Sequence, residues 1–581
     1  MDTLKNILFI IITIMLAVII EAMTINSTQE VNSINEPFEI LSAKRDIYSK
    51  DVSLSEIMYN EDSTKKLMQL IIDNGDETFK HISHREFIHK LYQKNGFTPI
   101  WFSYRGAKSK KIDDFFKTIE NDATLDRKGY IYKRYLYLKK LVNRKNLSLD
   151  EQLKLDIQLS SLYKSYLSYH VYGSIKWWDF QNKLKWLRHK KINADWVTYR
   201  PKYDMVDLLL KYPVSKIVDM TTPTSFGYKK MLKKLKRLKY IKRHGGWAKI
   251  PNSSQLKYGR SGKVVGKLIT RLKSSGDYRC RGNNRKYDRC LKDAIKRFQR
   301  RHGIYPNGVF NSYTRKMVNL SVDWKINKVL LNLDRIKRLP KQPKKQRHII
   351  VNIPDFRLYY YERGRKKLSM PIIVGDKKHH TPIFSNEISY IVLNPYWIMP
   401  DSIVKKEIIP KMLKNPNYLK ERGYEVRTSY STKAPTIDTS KIDWAKVLKY
   451  DLTKKYKFMQ PPGPKNALGK IKFKFPNQFA VYLHDTPTKK LFKKGVRAFS
   501  HGCIRISQPN TLLYTFARND KAVSYNKVQQ ILKGKERVQL NLSQSVPVHI
   551  IYLTACVHSD GLLYFKNDIY GYDKKQKRAR R

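Results

Sequence analysis

The sequence has few acidic residues for its length. Asp and Glu number 49 against 116 Lys and Arg, which gives a formal net charge of +67 over 581 residues. This balance excludes an acidic surface and suits an anionic partner such as nucleic acid, acidic lipid or an anionic polymer. The basic residues are spread from Arg188 to the tail at 574–581, and no helix-turn-helix, zinc-finger or RNA-binding signature accompanies them. We therefore expect no dedicated nucleic-acid partner, and lysine also serves as the ordinary surface residue.

Cysteine is scarce as well. The four cysteines include no C-x-x-C pair. Cys280 and Cys290 lie ten residues apart in a polar segment and are candidates for a disulfide, although spacing alone does not show that the geometry permits one. Cys556 lies in an apolar, strand-like run, which favours a buried thiol. A disulfide between Cys503 and Cys556 is the competing interpretation.

A nearly unbroken apolar run of fourteen residues, Ile7 to Ile20, follows Lys5. It is short for a membrane-spanning helix and has the length of a secretory apolar core. A buried core helix fits the position and the flanking lysine less well. We expect residues 1–22 to be a signal peptide or an uncleaved N-terminal anchor in the inner membrane. The rest of the chain is then exported to the periplasm or cell envelope.

The length predicts about three or four folded units, since single cores rarely grow beyond about 300 residues. Residues 37–250 show helical periodicity, for example at 159–172 and 231–240. A compact helical unit follows at 255–320, where Asp288 is a candidate cap for a helix whose apolar face includes Phe298.

Period-two alternation replaces the helical pattern after a Lys/Pro-rich linker at 340–347. Residues 346–573 therefore predict a β-rich domain. A Lys-rich, more helical stretch at about 405–458 interrupts it and predicts an inserted lid. The strand-like runs are 349–353, 356–360, 388–393, 479–483 and 548–554.

The segment Ser500-His501-Gly502-Cys503 has the features of a reactive thiol. A thiol attacks as the thiolate, so it needs a neighbouring base. His484 follows a strand-like run and is the candidate base, with Asp485 or a nearby carbonyl fixing its tautomer. Gly502 permits an unusual backbone angle, so main-chain N–H groups can face a developing oxyanion. Arg505 can hold a substrate carboxylate.

Two other interpretations of this segment stay open. His484, Asp485, His501 and Cys503 together offer ligands for zinc, but neither C-x-x-C nor H-x-x-x-H spacing is present. In the second interpretation, Cys503 has a purely structural role. Its Ser-His-Gly and arginine neighbours are not the apolar setting typical of a structural cysteine. We expect no metal and no cofactor.

These residues resemble the signature of the L,D-transpeptidase family. Fifteen residues, 485–499, separate His484 from Ser500-His501-Gly502-Cys503. Other segments resemble the large, multidomain, periplasmic branch of that family: 461–469, 394–397 with Pro400, and 568–571 in the β-rich region, and 97–101, 245–247, 294–299 and 332–335 before it.

The resemblance implies a multidomain α+β fold. A helical scaffold at 37–250, completed by 321–345, would accompany a small peptidoglycan-binding domain at 255–320. The catalytic domain at 346–573 would be a β-sandwich with the insertion at 405–458 as a capping lid. The basic tail at 574–581 has no counterpart.

The resemblance also implies a chemistry. Cys503 would be the nucleophile and His484 the general base and acid, with Ser500, His501 and Gly502 supporting the loop and the oxyanion. Arg505, Tyr482 and Asp485 would contact substrate.

The activity implied is formation of 3→3 cross-links between tetrapeptide stems of peptidoglycan, with release of D-alanine. Alternatives are an L,D-carboxypeptidase or endopeptidase, attachment of a lipoprotein with the same nucleophile, and a non-catalytic wall-binding protein.

Overall fold

The computed structural model describes residues 60–75, 77–104, 106, 108–281, 285–342, 346–576 and 578. The predicted signal or anchor at 1–22 and most of the tail after residue 576 lie outside this part of the chain. Within it, no helix combines the length and the apolar character needed to cross a membrane. Helices fill the chain up to residue 336 and strands dominate from residue 348, as the predicted α+β class requires.

The helices between residues 61 and 221, apart from Trp177–His189, form one large core around the longest of them. That helix begins at a capping box, in which Ser148 Oγ accepts from Glu151 N while the Glu151 carboxylate accepts from Ser148 N. The helices before the β-rich region are Glu61–Asp73, Glu77–Lys80, Arg85–Lys94, Lys110–Asn121, Tyr130–Val142, Leu149–Tyr172, Trp177–His189, Met205–Lys211, Val214–Thr221, Tyr228–Arg243, Lys263–Ser274, Arg289–Arg301, Ser312–Val318 and Val322–Ile336.

A buried carboxylate ties the loop at 97–102 to this core. Asp156 accepts hydrogen bonds from the amides of Ile100 (3.0 Å), Trp101 (2.7 Å) and Phe102 (2.9 Å). The hydroxyl of Tyr92 donates to it as well, at 2.5 Å. Burial nevertheless raises the pKa of Asp156 to about 6, because desolvation penalises its charged form.

The unit around 255–320 has its own small core. Asp288 Oδ1 accepts from Leu291 N at 2.9 Å and caps the helix Arg289–Arg301, and Phe298 is fully buried there. Cys280 and Cys290 form a disulfide, with their Cα atoms 6.4 Å apart. A buried ion pair between Asp277 and Arg301 adds a charged contact inside this unit.

The β-rich region is built on a large, closed sheet. Strands β1–β2–β3–β11–β9–β8–β4–β12 pair in that order and β12 pairs with β1, so the eight strands form a ring. Strand β10 adds to β3. The strands are His348–Asn352 (β1), Arg357–Glu362 (β2), Arg365–Gly375 (β3), Phe384–Leu393 (β4), Trp397–Ile398 (β5), Glu425–Arg427 (β6), Lys457–Gln460 (β7), Ile471–Lys474 (β8), Leu483–His484 (β9), Ala498–Ser500 (β10), Ile504–Ile506 (β11), Val538–Ile551 (β12), Ala555–Val557 (β13) and Leu563–Phe565 (β14). Their inward side chains form a core that also receives the helices Pro509–Arg518 and Tyr525–Lys533.

The predicted strand at 479–483 is wrong over most of its length. The Asn477 amide donates to Val481 O at 2.8 Å, and its carbonyl oxygen accepts from Phe479 N at 3.1 Å. Ala480 adopts a left-handed φ of +51° inside this turn. Because the asparagine side chain satisfies these backbone groups locally, pairing starts only at Leu483.

The insertion between β4 and β8 is a compact subdomain, and within the predicted stretch 405–458 short helices outnumber strands, as its more helical composition indicates. The small antiparallel sheet β5–β7–β6 packs with short helices around Ile409 and Phe458. The helical segments are Asp401–Ile403, the π-turn Val404–Ile408, Ile409–Met412, Tyr418–Arg422 and Trp444–Lys449.

The helix Val322–Ile336 joins the helical and β-rich regions. It packs with Tyr228–Arg243 and with β13 in one apolar cluster. Its buried Asp334 accepts from Ser174 Oγ at 2.8 Å and from Arg578 Nε at 2.8 Å. Arg578 of the basic tail is therefore paired with a buried carboxylate.

Candidate active site

Cys503 and His484 lie on neighbouring strands of the closed sheet. Strand β11 runs parallel to β9, and Arg505 is in register with His484. One step earlier, Ile504 N donates to Tyr482 O at 3.1 Å. Cys503 immediately precedes β11, so the thiol and the imidazole are brought together by strand pairing that spans about twenty residues of sequence.

The loop Ser500–Cys503 is held by the Ser500 side chain and by Thr381, which lies between β3 and β4. Ser500 Oγ donates to Cys503 O at 2.6 Å and accepts from Gly502 N at 3.2 Å. Thr381 Oγ1 donates to Gly502 O at 2.8 Å. Gly502 has a φ of +113°, a conformation that other residues rarely adopt. Gly502 N–H is thus engaged within the loop, which leaves the Cys503 amide as the better-placed oxyanion donor in this conformation.

The Cys503 thiol is free, half-buried and surrounded by polar groups. Its Sγ donates to Ala480 O at 3.8 Å. Burial raises the pKa of Cys503, although hydrogen bonds from the amide and hydroxyl of Tyr482 and the charges of Lys472 and Arg505 oppose that rise. The resting sulfur is therefore protonated at neutral pH and lies where a thiolate would be stabilised.

His484 is buried and neutral. Its ring lies 5.5 Å from the ring of Tyr482, edge to face, and its Nδ1 donates to Asp485 O at 2.5 Å. That hydrogen bond favours the tautomer with the proton on Nδ1 and the lone pair on Nε2. Burial and the nearby charge of Arg505 lower the pKa of His484 to about 3.

The Asp485 side chain serves the loop after β9. Its carboxylate accepts from Thr486 N at 2.7 Å and Lys470 N at 3.0 Å, and Lys489 forms a salt bridge with it. A Cβ at Gly469 would lie 2.3 Å from Asp485 Oδ2, so glycine is required there. The backbone carbonyl of Asp485 orients His484, and substrate contact by its carboxylate stays a prediction.

Lys472 is a site residue that the sequence analysis missed. It lies on β8 directly opposite His484, and its Nζ is 3.9 Å from the centre of the Tyr482 ring. Burial lowers the pKa of Lys472 to about 8. Lys472, His484 and Arg505 thus form a row across three strands beside the thiol. Local sequence shows only a lysine between two buried apolar residues, Ile471 and Phe473.

Arg505 lies on the thiol side of this row, and its buried Nε has no hydrogen-bond partner among the described residues. Burial lowers the pKa of Arg505, and the neighbouring Cys503 opposes that change. An anionic group of a ligand would satisfy this donor, and the role of Arg505 in binding a substrate carboxylate stays a prediction. No cluster of metal-ligating side chains occurs in the described part of the chain, and Cys556 is a separate, free thiol.

His501 links the reactive loop to the insertion. Its Nε2 lies 2.6 Å from Glu407 Oε1, and its ring packs against His379 with 4.4 Å between the centres. Neither Glu407 nor His379 was anticipated, because they come from segments far away in sequence. The insertion therefore contacts the loop Ser500–Cys503 next to the thiol.

Comparison with known proteins gives matches over the two large regions. Residues 346–523 match the L,D-transpeptidase catalytic domain (YkuD), and residues 86–235 match the scaffold domain. A putative L,D-transpeptidase from Haemophilus influenzae is 31% identical over 248 residues, which is 43% of this chain and 48% of that protein. The chain thus spans about half the length of this curated relative.

Among solved structures, an L,D-transpeptidase from Stackebrandtia nassauensis is 15% identical, with 52% of this chain and 96% of that chain covered and a TM-score of 0.21. One from Xylanimonas cellulosilytica is 14% identical, with 52% and 100% covered and a TM-score of 0.16. TM-scores this low support no argument about the present chain. On the strength of the sequence match and the site geometry, residues 346–523 belong to the L,D-transpeptidase catalytic domain family.

Proposed function

We propose that the protein is a murein L,D-transpeptidase that forms 3→3 cross-links between peptidoglycan stems. The observation that supports this most is the site itself: a free thiol on a rigid loop beside a neutral, oriented imidazole. That pair suits acyl transfer through a thioester. The row of Lys472 and Arg505 supplies positive charge where an anionic substrate and intermediate would lie.

In this mechanism the thiol of Cys503 attacks the carbonyl between the third residue of a tetrapeptide stem and its terminal D-alanine. His484 Nε2 takes the thiol proton as the carbon–sulfur bond forms. The Cys503 amide, with the hydroxyl of Tyr482 nearby, would stabilise the oxyanion. The carbon–nitrogen bond then breaks, and His484 returns the proton to the leaving D-alanine amine.

The second half-reaction reverses these roles. The side-chain amine of a diamino acid in another stem attacks the thioester, and His484 accepts its proton while the sulfur leaves. Water in place of the amine would give hydrolysis, so the thioester needs shielding. The Glu407–His501 contact supports a shielding role for the insertion, because it brings the insertion onto the catalytic loop.

We infer further that the chain acts outside the cytoplasm, where its proposed substrate lies. The apolar run Ile7–Ile20 motivates this part of the proposal. Fractionation of cells expressing the full chain tests it: recovery in the cytosolic fraction alone would contradict export.

The decisive experiment is mass spectrometry of products from purified disaccharide-tetrapeptide. We expect wild type to give a dimer lacking one D-alanine, and Cys503→Ala and His484→Ala to give none. Cys556→Ala is the matched control, because it removes the other free thiol and should leave the dimer unchanged. A shortened monomer alone would mean that water is the acceptor. No product from wild type would contradict an enzymatic function.

A further inference from the structure

Two tryptophans on the helix Trp177–His189 are exposed to solvent. Trp178 is 77% exposed and Trp186 is 58% exposed. The chain has nine tryptophans, and the other seven are buried or half-buried, so the exposure of this residue type is confined to one helix. Large aromatic side chains that are exposed close to one another mark a surface that binds a partner.

The opposite face of this helix is fixed in the core of the β-rich region. Phe180 and Leu184 are fully buried there, and Phe180 packs edge to face against Trp196 with 5.5 Å between the ring centres. The two exposed tryptophans are eight positions apart, which places them about 80° apart around the helix and about 12 Å apart along it. They therefore flank the side of the helix that faces solvent, and neither belongs to a core.

Four exposed lysines accompany the two rings. They are Lys176, Lys185, Lys190 and Lys191. Within the residues that the structure describes, none of the four forms a salt bridge, and Lys190 Nζ lies 5.9 Å from the centre of the Trp186 ring. In a chain with a net charge of +67, exposed lysines alone would mean little. Their position beside the two exposed tryptophans distinguishes this surface from the general surface charge.

Negative charge does not cancel this positive charge. Asp195, which follows the helix, is already paired with Arg188 Nη1 at 2.9 Å. Asp179 is half-buried and is the one acidic residue in the sequence of the helix. Tryptophan rings prefer the level of the headgroups at a membrane surface, and lysines are attracted to anionic headgroups. The surface therefore has both of the features that suit an anionic bilayer.

We propose that the surface formed by Trp178, Trp186 and the four lysines docks on a lipid bilayer that carries anionic headgroups. The two rings lie at headgroup level, and the ammonium groups meet lipid phosphates. A second copy of the chain carries the same net charge of +67 and would be repelled. Sugar rings of a glycan strand would use the tryptophans but would leave the lysines without a counter-charge.

Docking at this helix would orient the candidate active site relative to the bilayer. Just after the helix, Asn193 N donates to Lys378 O at 2.8 Å, and Asn193 O accepts from His380 N at 3.0 Å. The next residue in that segment, Thr381, donates from its hydroxyl to Gly502 O at 2.8 Å. A bilayer bound at the helix is thus linked to the reactive loop through a short series of hydrogen bonds. The inference does not depend on which reaction the thiol performs.

Hydroxyl-radical footprinting of the full chain tests this, because peptide mapping reads the oxidation of each exposed tryptophan separately. Vesicles of equimolar phosphatidylcholine and phosphatidylglycerol should lower the oxidation of Trp178 and Trp186 at least about fivefold. Vesicles of phosphatidylcholine alone should leave it nearly unchanged. Tyr305, which is 81% exposed on the unit at 255–320, is the internal reference and should be oxidised equally throughout. Comparing the two kinds of vesicle controls for any insertion of residues 1–22, since both offer an apolar bilayer.

Charge reversal separates the lysines from the rings. Lys185→Glu with Lys190→Glu should raise the lipid concentration that half-protects Trp178 at least about tenfold, because two attractive charges become repulsive. Lys229→Glu with Lys233→Glu, two exposed lysines of the helix Tyr228–Arg243, is the matched control and should behave like wild type.

Four results would overturn the proposal. Unchanged oxidation of both tryptophans with anionic vesicles would show that the surface does not meet lipid. Equal protection by phosphatidylcholine vesicles would remove the role of the lysines. Protection by disaccharide-tetrapeptide without lipid would assign the surface to the wall polymer. Protection that rises with protein concentration alone would assign it to a second copy of the chain.

Discussion

Cys503 is expected to rest as a neutral thiol beside a neutral imidazole, not as a thiolate–imidazolium pair. Burial raises the pKa of the thiol, and burial together with Arg505 lowers the pKa of His484 to about 3. The thiol thus binds its proton more tightly than usual, while the imidazole binds its proton far less tightly. Proton transfer from sulfur to His484 should therefore accompany attack rather than precede it.

The expected pH dependence of alkylation at Cys503 follows from the ionised fraction of its thiol. A thiol with the ordinary pKa of about 8.5 is roughly 3% ionised at pH 7, and a raised pKa makes that fraction smaller. Alkylation by iodoacetamide requires the thiolate. Its rate at Cys503 should therefore rise about tenfold per pH unit, or about a hundredfold from pH 6 to pH 8.

Peptide mapping by mass spectrometry after timed alkylation measures this rate at each cysteine separately. Cys556 is an internal reference, because burial raises its pKa to about 12 and should make it much slower. Lys472→Met should lower the rate at Cys503 throughout, since a cation beside the thiolate is lost. His484→Gln should keep the slope. A plateau in the Cys503 rate below pH 7 would refute the argument, because it would reveal a preformed ion pair.

Three further predictions concern stability and the loop. Burial lowers the pKa of His380 to about 4, so the unfolded chain binds its proton first, and stability present above pH 6.5 is lost as pH falls towards 4. Between pH 7.5 and pH 5 this should cost about 2 kcal/mol, and His380→Asn should show that much less pH dependence in urea unfolding. Asp277→Asn should destabilise the unit at 255–320 by about 3 kcal/mol or more, read from local hydrogen exchange, because it leaves Arg301 buried and unpaired; unchanged exchange would contradict this. Gly502→Ala should slow Cys503 alkylation and lower the free energy of unfolding by about 1–2 kcal/mol, since its φ of +113° strains any side chain although an added Cβ would meet His380 O at an ordinary 3.8 Å; a wild-type rate would show that the loop relaxes freely.

Sequence alone predicts the elements whose signals are local. The alternation at 349–353 and 356–360 predicts β1 and β2, and the apolar spacing after Asp288 predicts a capped helix, because each depends on residues within a few positions. The strand at 479–483 was mispredicted although its residues suit a strand. One asparagine side chain at 477 satisfies the backbone there, and composition does not register such a contact.

The same distinction explains which site residues were found. Cys503 and His484 lie in a recognisable motif, so the sequence predicts them as a candidate pair without a structure. Lys472 is recognised as a site residue only from the pairing of β8 with β9, which places it opposite His484. Sequence alone does not give this pairing, because register across strands depends on the whole sheet.

Glu407 and Arg271 show the same dependence on long-range contacts outside the large sheet. Each is an ordinary charged residue in the sequence. Its role depends on which partners contact it in the folded chain. His501 of the catalytic loop meets Glu407, whereas no acceptor within the described chain meets Nε or Nη1 of Arg271. The role of a charged group can be inferred only when its partners are known. Local sequence patterns do not reveal partners that are distant in sequence. Motifs in this chain therefore predict a candidate site, while the partners of its charged groups become known only from the fold.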